Sequence, residues 1–463
     1  MERKNAWAAY AGDDGKVEAF AKAYCDFINN GKTERECVAY GEKLAKAHGF
    51  EDLNAVVRSG RKLEAGARVY ANWMGKSFML FVLGEKPLEE GMNILGAHID
   101  SPRIDVKQNP LYEDTDLAYL DTHYYGGIKK YQWVAIPLAL HGVIVRKTGE
   151  KVIINIGEDE NDPVFCISDL LVHLAQEQMA KNAKEVVEGE ALNLIVGGRP
   201  LEGEEKDAVK ANVLKLLADK YGVEEEDFLS AELEIVPAGK ARDMGFDRSM
   251  ILAYGHDDRV CAYPSMMAVL DYEGTPDYTL CCIVTDKEEI GSVGATGMAS
   301  HYLENTVAEL YACTADYCEL AVRRCLRNSR MLSSDVSAGY DPNFASAFEK
   351  KNSAFLGRGI CFNKFTGSRG KSGSNDANPE FMASLRKIMD DAGVAFQTAE
   401  LGRVDLGGGG TIAYLCAKYG MNVIDSGIPV LSMHAPYEII SKVDLYEGYR
   451  GYCAFLQGAK PVE

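Results

Sequence analysis

Five short segments carry imidazole or carboxylate groups in an order that suits a pair of divalent cations. They are Gly96-Ala97-His98-Ile99-Asp100, Gly255-His256-Asp257-Asp258-Arg259, Thr285-Asp286-Lys287-Glu288-Glu289, Ser333-Ser334-Asp335 and Met433-His434-Ala435. Zinc in such pairs takes imidazole nitrogen and carboxylate oxygen, one carboxylate often spans both ions, and a carboxylate held beside them handles the proton. The segments supply His, Asp, Glu, Asp and His, with one glutamate left over. Glu288 and Glu289 follow a run of strand-forming residues, whereas Glu224-Glu225-Glu226-Asp227 reads as a solvated surface. Adjacent residues at a strand end point opposite ways, so one of the two glutamates can bind metal while its neighbour faces substrate.

The elements that must position these groups read as strands alternating with helices, which implies an α/β fold, a mostly parallel sheet covered by helices on both faces. Asn93 to Ala97 is a short buried strand that delivers His98 at its C-terminal end, where open α/β sheets place their ligands. Thr279 to Thr285 is a second strand, and Ala67 to Trp73 and Ser77 to Leu83 form a hairpin around Met74-Gly75-Lys76. Helical periodicity runs through residues 15–50, Val307 to Arg327 and Pro379 to Ala392, the last with Asn378 as N-cap and Pro379 at N1. A final helix begins at Ser441, with Asp444 as a capping-box variant. Between 105 and 248 the character changes to β-like alternation from Val134 to Ile156, a helical stretch near Leu170 to Lys181, and acidic, Gly-punctuated sequence. None of the five segments falls there. The expected organisation is therefore a catalytic domain of 1–104 plus 249–463, with 105–248 as an inserted β-rich domain.

Length and composition narrow the class. A chain of 463 residues is too long for one ordinary domain, and 47% hydrophobic with 26% charged residues is the balance of a soluble globular protein. A net charge of −19 argues against nucleic acid as a partner, because phosphate affinity comes from Lys and Arg. The longest apolar stretch, Val134 to Val145, is broken by Pro137 and His141 and is too short for a bilayer. Twelve cysteines without a CxxC pair, some inside apolar runs such as Leu280-Cys281-Cys282-Ile283-Val284, fit a reducing cytoplasm. Gly291 to Gly297 does not have nucleotide-loop spacing and reads as a turn. Gly370-Lys371-Ser372 lacks the first glycine of a P-loop, Phe365 standing in its place. Gly407 to Gly410 reads equally as an anion nest or a tight connection.

The motifs, in their order and intervals, resemble the M18 family of metallo-aminopeptidases from about Glu34 to the C-terminus. They are GAHxDSP over Gly96 to Pro102, the Asp257-Asp258 pair, Glu288-Glu289 with Gly291, Ser333-x-Asp335, and Met433-His434 with Glu438. The resemblance implies two Zn2+ per subunit, with Co2+ or Mn2+ able to substitute at these N/O ligands. By residue-by-residue match, Asp257 would bridge the ions, His98 and Asp335 would complete one site, and Glu289 and His434 the other. Glu288 would be the general base, and Asp100 would orient the His98 imidazole. The match also implies a cis Asp257–Asp258 bond and release of N-terminal residues from short peptides. It further implies a homo-oligomer, a tetrahedral dodecamer held largely by the inserted domain, with His173 reaching a neighbouring subunit's active site. The aspartyl-preferring branch has histidines after the Asp335 position, where Val336 to Asp341 stand here. On that ground the resemblance implies a neutral or basic N-terminal preference at least as readily as an acidic one. The M42, M28 and M20 peptidases share the ligand order, while the His98 to Pro102 segment and the long insert favour M18. A di-zinc amidase or carboxypeptidase would call for a cationic clamp that the sequence does not locate. A non-catalytic scaffold would be expected to have lost Glu288 or a ligand, and all six residues are present.

Overall fold

The structure, a computed structural model, describes residues 4–367 and 369–462. It divides into two compact units. One comprises Met1–Asp100, Ala241–Met433 and Glu438–Glu463, the other Ser101–Lys240 and His434–Tyr437. The hairpin of Arg242–Met244 with Met250–Ala253 lies in the first unit because Met250–Ala253 pairs in turn with Glu438–Ser441.

A nine-stranded sheet forms the centre of the first unit. Its four middle strands, Thr279–Thr285, Met92–His98, Arg330–Ser334 and Asn422–Gly427, are parallel neighbours in that order. Antiparallel pairs join this block to Ser77–Val82 on one side and Ile360–Asn363 on the other. Successive strand residues supply opposite faces. Leu80, Leu95, Cys282, Leu332 and Ile424 pack into one core with residues of helices Gly15–Asn30, Glu34–Ala47, His256–Leu270, Pro379–Asp391 and Lys442–Gly458. Phe81, Ile94, Cys281, Met331 and Val423 pack into the other, with Leu53–Ser59, Tyr302–Thr314, Glu319–Asn328 and Ala413–Ala417. Burial on both faces explains why these strands read as unbroken apolar runs. The α/β class expected from the sequence is the one observed.

The second unit holds a six-stranded antiparallel sheet in the order Lys151–Ile156, Leu138–Val145, Ala231–Pro237, Arg103–Asp114, Leu117–Tyr125 and Leu194–Gly197. Helix Ala208–Tyr221 accompanies it. The helical stretch expected near Leu170 to Lys181 is instead irregular chain with a single turn, Gln176–Met179. Leu170, Leu171, Val172, Leu174 and Met179 are all exposed there, so no core face holds a longer helix.

Two expected caps also differ. Asn378 precedes helix Pro379–Asp391 without a side-chain cap, and its amide donates to Asn422 Oδ1 at 2.9 Å. Asp444 makes no capping box. Its buried carboxylate accepts from the backbone N–H of Gly357 and of Gly359, both at 2.6 Å. The helical periodicity over residues 15–50 and over Val307 to Arg327 is in each case carried by two helices, with Thr33 closing a capping box on the second of the first pair.

Within the parallel block, on the strand Asn422–Gly427, Asp425 is a buried carboxyl that accepts from Thr411 Oγ1 at 2.5 Å, while its Oδ2 has no hydrogen-bond partner. Burial pushes its pKa up to about 7, against the bond from Thr411. The folded state therefore binds this proton more tightly than the unfolded chain, and the associated stability is lost as pH rises from about 4 to about 7. Asp425→Asn has no such loss. Its stability relative to the native chain, measured by denaturant titration at a series of pH values, is expected to rise across that window by at most roughly 4 kcal/mol and level off above it. A difference that does not change with pH would show that Asp425 titrates normally.

Candidate metal centre

Three of the five segments meet because three parallel strands end side by side. His98 closes its strand opposite Thr285, and Ser333 pairs with Gly96 on the other side. The chain leaving Thr285 therefore brings Glu288 and Glu289, and the chain leaving Ser334 brings Asp335, to the edge where His98 sits. The fourth segment arrives from the start of the helix His256–Leu270. Gly255 precedes it with φ +76°, Asp257 and Asp258 are not yet helical, and the peptide bond between them is cis. Glu438, on the strand Glu438–Ser441, accepts the Asp257 backbone N–H at 3.0 Å. The fully buried Arg259 donates to the carbonyls of Ile99 and Lys32 at 3.1 and 2.9 Å, tying the segment to the chain that follows His98.

His98 is buried at the centre. Its Nδ1 lies 3.0 Å from the Asp100 carbonyl and 3.3 Å from Asp100 Oδ1, while Nε2 lies 3.2 Å from Asp257 Oδ1, 3.9 Å from Asp335 Oδ1 and 4.0 Å from Glu288 Oε2. Asp100 does more than meet the ring. Its two oxygens accept the backbone N–H groups of Glu288 and Glu289 at 3.1 and 3.2 Å. Those glutamates occupy a 3-10 turn, Glu288–Ile290, bracketed by Lys287 at φ +67° and Gly291 at φ +93°. The strand alternation expected to separate them is absent. The turn separates them instead.

Two groups of donors result, His98 with Asp257 and Glu289, and His98 with Asp258 and Asp335, the ligand atoms of each lying within 4.8 Å of one another. Nε2 carries the one lone pair that His98 can offer, because Nδ1 faces Asp100. A group shared between two ions must then be a carboxylate. Asp258, not assigned from the sequence, is fully buried, with Oδ2 accepting the His98 backbone N–H at 3.3 Å.

The electrostatics call for cations. Burial lowers the His98 pKa, but the bonds to Asp100 and Asp257 and the charges of Asp335 and Glu288 outweigh it and hold it well above the usual imidazole range. Asp335 is driven well above the carboxylate range by burial, opposed by His98 and reinforced by Glu288, Asp258 and Asp257. Asp258 is raised likewise, by burial first and then by Asp257. One imidazolium cannot neutralise so many acids, and divalent ions would. Carboxylate oxygens with an imidazole nitrogen are also a donor set that zinc accepts.

The family model described as "Aminopeptidase I zinc metalloprotease (M18)" matches residues 27–456. The chain is 58% identical over 459 residues to a "Probable M18 family aminopeptidase 1" of Clostridium acetobutylicum, covering 98% of each chain. The chain belongs to the M18 family of aminopeptidases. Its fold matches the crystal structure of an M18 aminopeptidase from Thermotoga maritima with a TM-score of 0.94 at 43% identity, covering 99% of this chain and all of that one. It matches aminopeptidase I from Clostridium acetobutylicum with a TM-score of 0.92 at 56% identity, covering 98% and 99%. This M18 chain is a hydrolase, of a zinc metalloprotease family.

His434 belongs to neither donor group and is assigned to the second unit. It has φ +64°, and its Nδ1 lies 3.0 Å from the Gly127 carbonyl, which places the proton on Nδ1 and the lone pair on Nε2. His173 lies in an exposed turn of the second unit, not on an amphipathic helix. His256 is held by Tyr24 Oη at 2.7 Å and by the Ile251 carbonyl at 3.2 Å, and burial lowers its pKa to about 3, so it is a neutral structural ring. Sequence reasoning passed over Asp258 and Glu438, although both stand inside quoted motifs. The signal was their motif position, and only the packing shows what each carboxylate touches.

Asp100→Asn keeps the size of the side chain but sets an amide N–H against one of the two backbone N–H groups it must accept. Its affinity for zinc, measured by competition with a chromophoric chelator, is expected to fall about 10- to 100-fold. Native affinity would show that Asp100 does not hold His98 and the Glu288–Glu289 turn in place.

Proposed function

We propose that this chain is a di-zinc aminopeptidase that removes single N-terminal residues from short peptides. The observation that carries the reading is the pair of glutamates suspended from Asp100. Glu289 falls within a donor group, while Glu288, only 16% exposed along its side chain, stands 4.0 Å from His98 Nε2. In this reading His98, Asp257, Glu289, Asp335 and His434 would hold the two ions, and Asp257 would be the carboxylate they share. Co2+ or Mn2+ could replace Zn2+. Bound ions would polarise the scissile carbonyl and lower the pKa of the attacking water. Glu288 takes the proton of that water and returns it to the departing amine. Asp100 keeps the His98 proton on Nδ1, so that Nε2 remains the ligating nitrogen. Asp258, beside His98 and Asp335, adds negative charge that offsets the second dication. The substrate's free α-amino group would sit at the ions, which makes the enzyme an exopeptidase.

The wider reading rests on the family resemblance. The 105–248 domain would hold a homo-oligomer together, a tetrahedral dodecamer, and His173 would reach a neighbouring active site. The exposed Leu170, Leu171, Val172, Leu174 and Met179 around His173 are apolar surface of the kind that association covers. A cytoplasmic setting accords with cysteines that are all free. Among the described residues, no helix is long and apolar enough to cross a membrane.

Glu288→Gln is expected to lower kcat by at least ~100-fold with two zinc ions still bound, as metal analysis of the purified variant would show. Loss of an ion would mean that Glu288 and Glu289 have exchanged roles. A panel of aminoacyl-anilides and short peptides should be hydrolysed, with activity lost to a chelator and restored by Zn2+. The same peptides N-acetylated should be inert. Cleavage of the acetylated set would remove the aminopeptidase reading in favour of a di-zinc amidase or carboxypeptidase.

A further inference from the structure

A cavity of about 460 Å³ opens in the second unit between the six-stranded sheet and helix Ala208–Tyr221. Its floor is aliphatic, with Ile144, Ile154 and Leu233 each almost fully buried. Its other wall is the loosely seated helix, of which Val209 is the one buried residue and whose Leu216 is 60% exposed while lining the opening. Asp219 and Lys220 bring opposite charges to the same wall. A space of this size and apolarity, left beside a helix with one buried residue, is a recognition site in search of an apolar occupant.

The first unit presents such an occupant. Phe246 is 114% exposed, which is complete exposure, at the turn of the hairpin between Arg242–Met244 and Met250–Ala253. The turn is fixed, since Asp247 Oδ1 accepts from Ser249 N and Oγ at 3.2 and 2.9 Å. The aromatic tip is followed directly by Asp247 and Arg248, the latter 77% exposed along its side chain.

We propose that Phe246 of one copy seats in this cavity of a second copy, with Arg248 meeting Asp219 and Asp247 meeting Lys220. The charges on the two surfaces are complementary. Their present partners are weak competitors: Lys215 for Asp219 and Asp243 at 3.8 Å for Arg248 are solvent-facing pairs that contribute little, and Lys220 has only the half-buried Asp162 at 4.0 Å and the Tyr221 ring at 5.1 Å. Knob and cavity are different surfaces of the chain, so the contact can be made twice, reciprocally, about a two-fold axis or repeat head-to-tail around a ring. The inference rests on the homo-oligomer reading above and adds the residues of one contact.

Light scattering over a dilution series of the zinc-loaded chain measures the dissociation constant of the assembly. Phe246→Ala is expected to raise it ~10- to 100-fold, the effect of losing one buried aromatic per contact. Asp219→Arg should raise it as well, and Arg248→Glu combined with Asp219→Arg should bring it back toward the native value. An unchanged constant in Phe246→Ala, or no recovery in the charge swap, overturns the docking while leaving the homo-oligomer intact. A native chain that stays monomeric at every concentration overturns both. Entry of an apolar dye into the cavity of the intact native assembly, read as a fluorescence rise that Leu217→Trp abolishes, would show the cavity open to small molecules and overturn the docking as well.

Discussion

The carboxylate of Asp100 is the constraint on which the centre depends. It lies two residues beyond the end of one parallel strand and accepts the backbone N–H groups of the turn that follows the next strand, while also facing His98 Nδ1. The His98 ring and the backbone of both glutamates are thereby held by one side chain. Such an arrangement is available only where two parallel strands end level with each other, as His98 and Thr285 do.

Around that point the fold concentrates negative charge that it does not neutralise. Burial alone would drive the acids to protonate, and their mutual repulsion adds to it, as the raised pKa values of Asp258 and Asp335 reflect. The surrounding architecture keeps the acids close despite this cost. Gly427 is one device: a Cβ there would stand 1.7 Å from the Asp335 carbonyl, so only glycine lets the neighbouring strand approach the chain that carries Asp335. Glu438 and Arg259 are others, holding the Asp257 and Ile99 backbones respectively. A cluster maintained in this way, with an imidazole at its centre, is organised to bind divalent cations.

The second unit obeys different rules. Its antiparallel sheet carries one loosely seated helix, a chain of exposed aliphatic residues around His173 and an apolar cavity. These exposed apolar features are what the proposed association between copies would cover.

The amino-acid sequence narrows the candidate donors, because metal chemistry restricts them to a few types and each stands where a strand run ends or a helix begins, but it passes over Asp258, and it offers His434, which belongs to neither donor group. It shows the central strands too, since burial on both faces leaves an unbroken apolar run such as Leu280 to Val284, and a change of pattern marks an insert, while the compact unit itself runs over Ser101–Lys240 with His434–Tyr437. What it could not determine were features made by contacts between distant segments. The turn at Glu288–Ile290 exists because Asp100, nearly two hundred residues earlier, accepts its N–H groups, and local alternation suggested a strand end instead. Asp444 looks like a capping acid in sequence and serves the Gly357–Gly359 loop in space. The apolar residues near Leu170 have helical spacing, yet with nothing to pack against they form no helix beyond one turn. Asp258 and Glu438 were visible as motif letters, but which backbone each one holds depends on how the strands pair, and that is decided only when the sheets assemble.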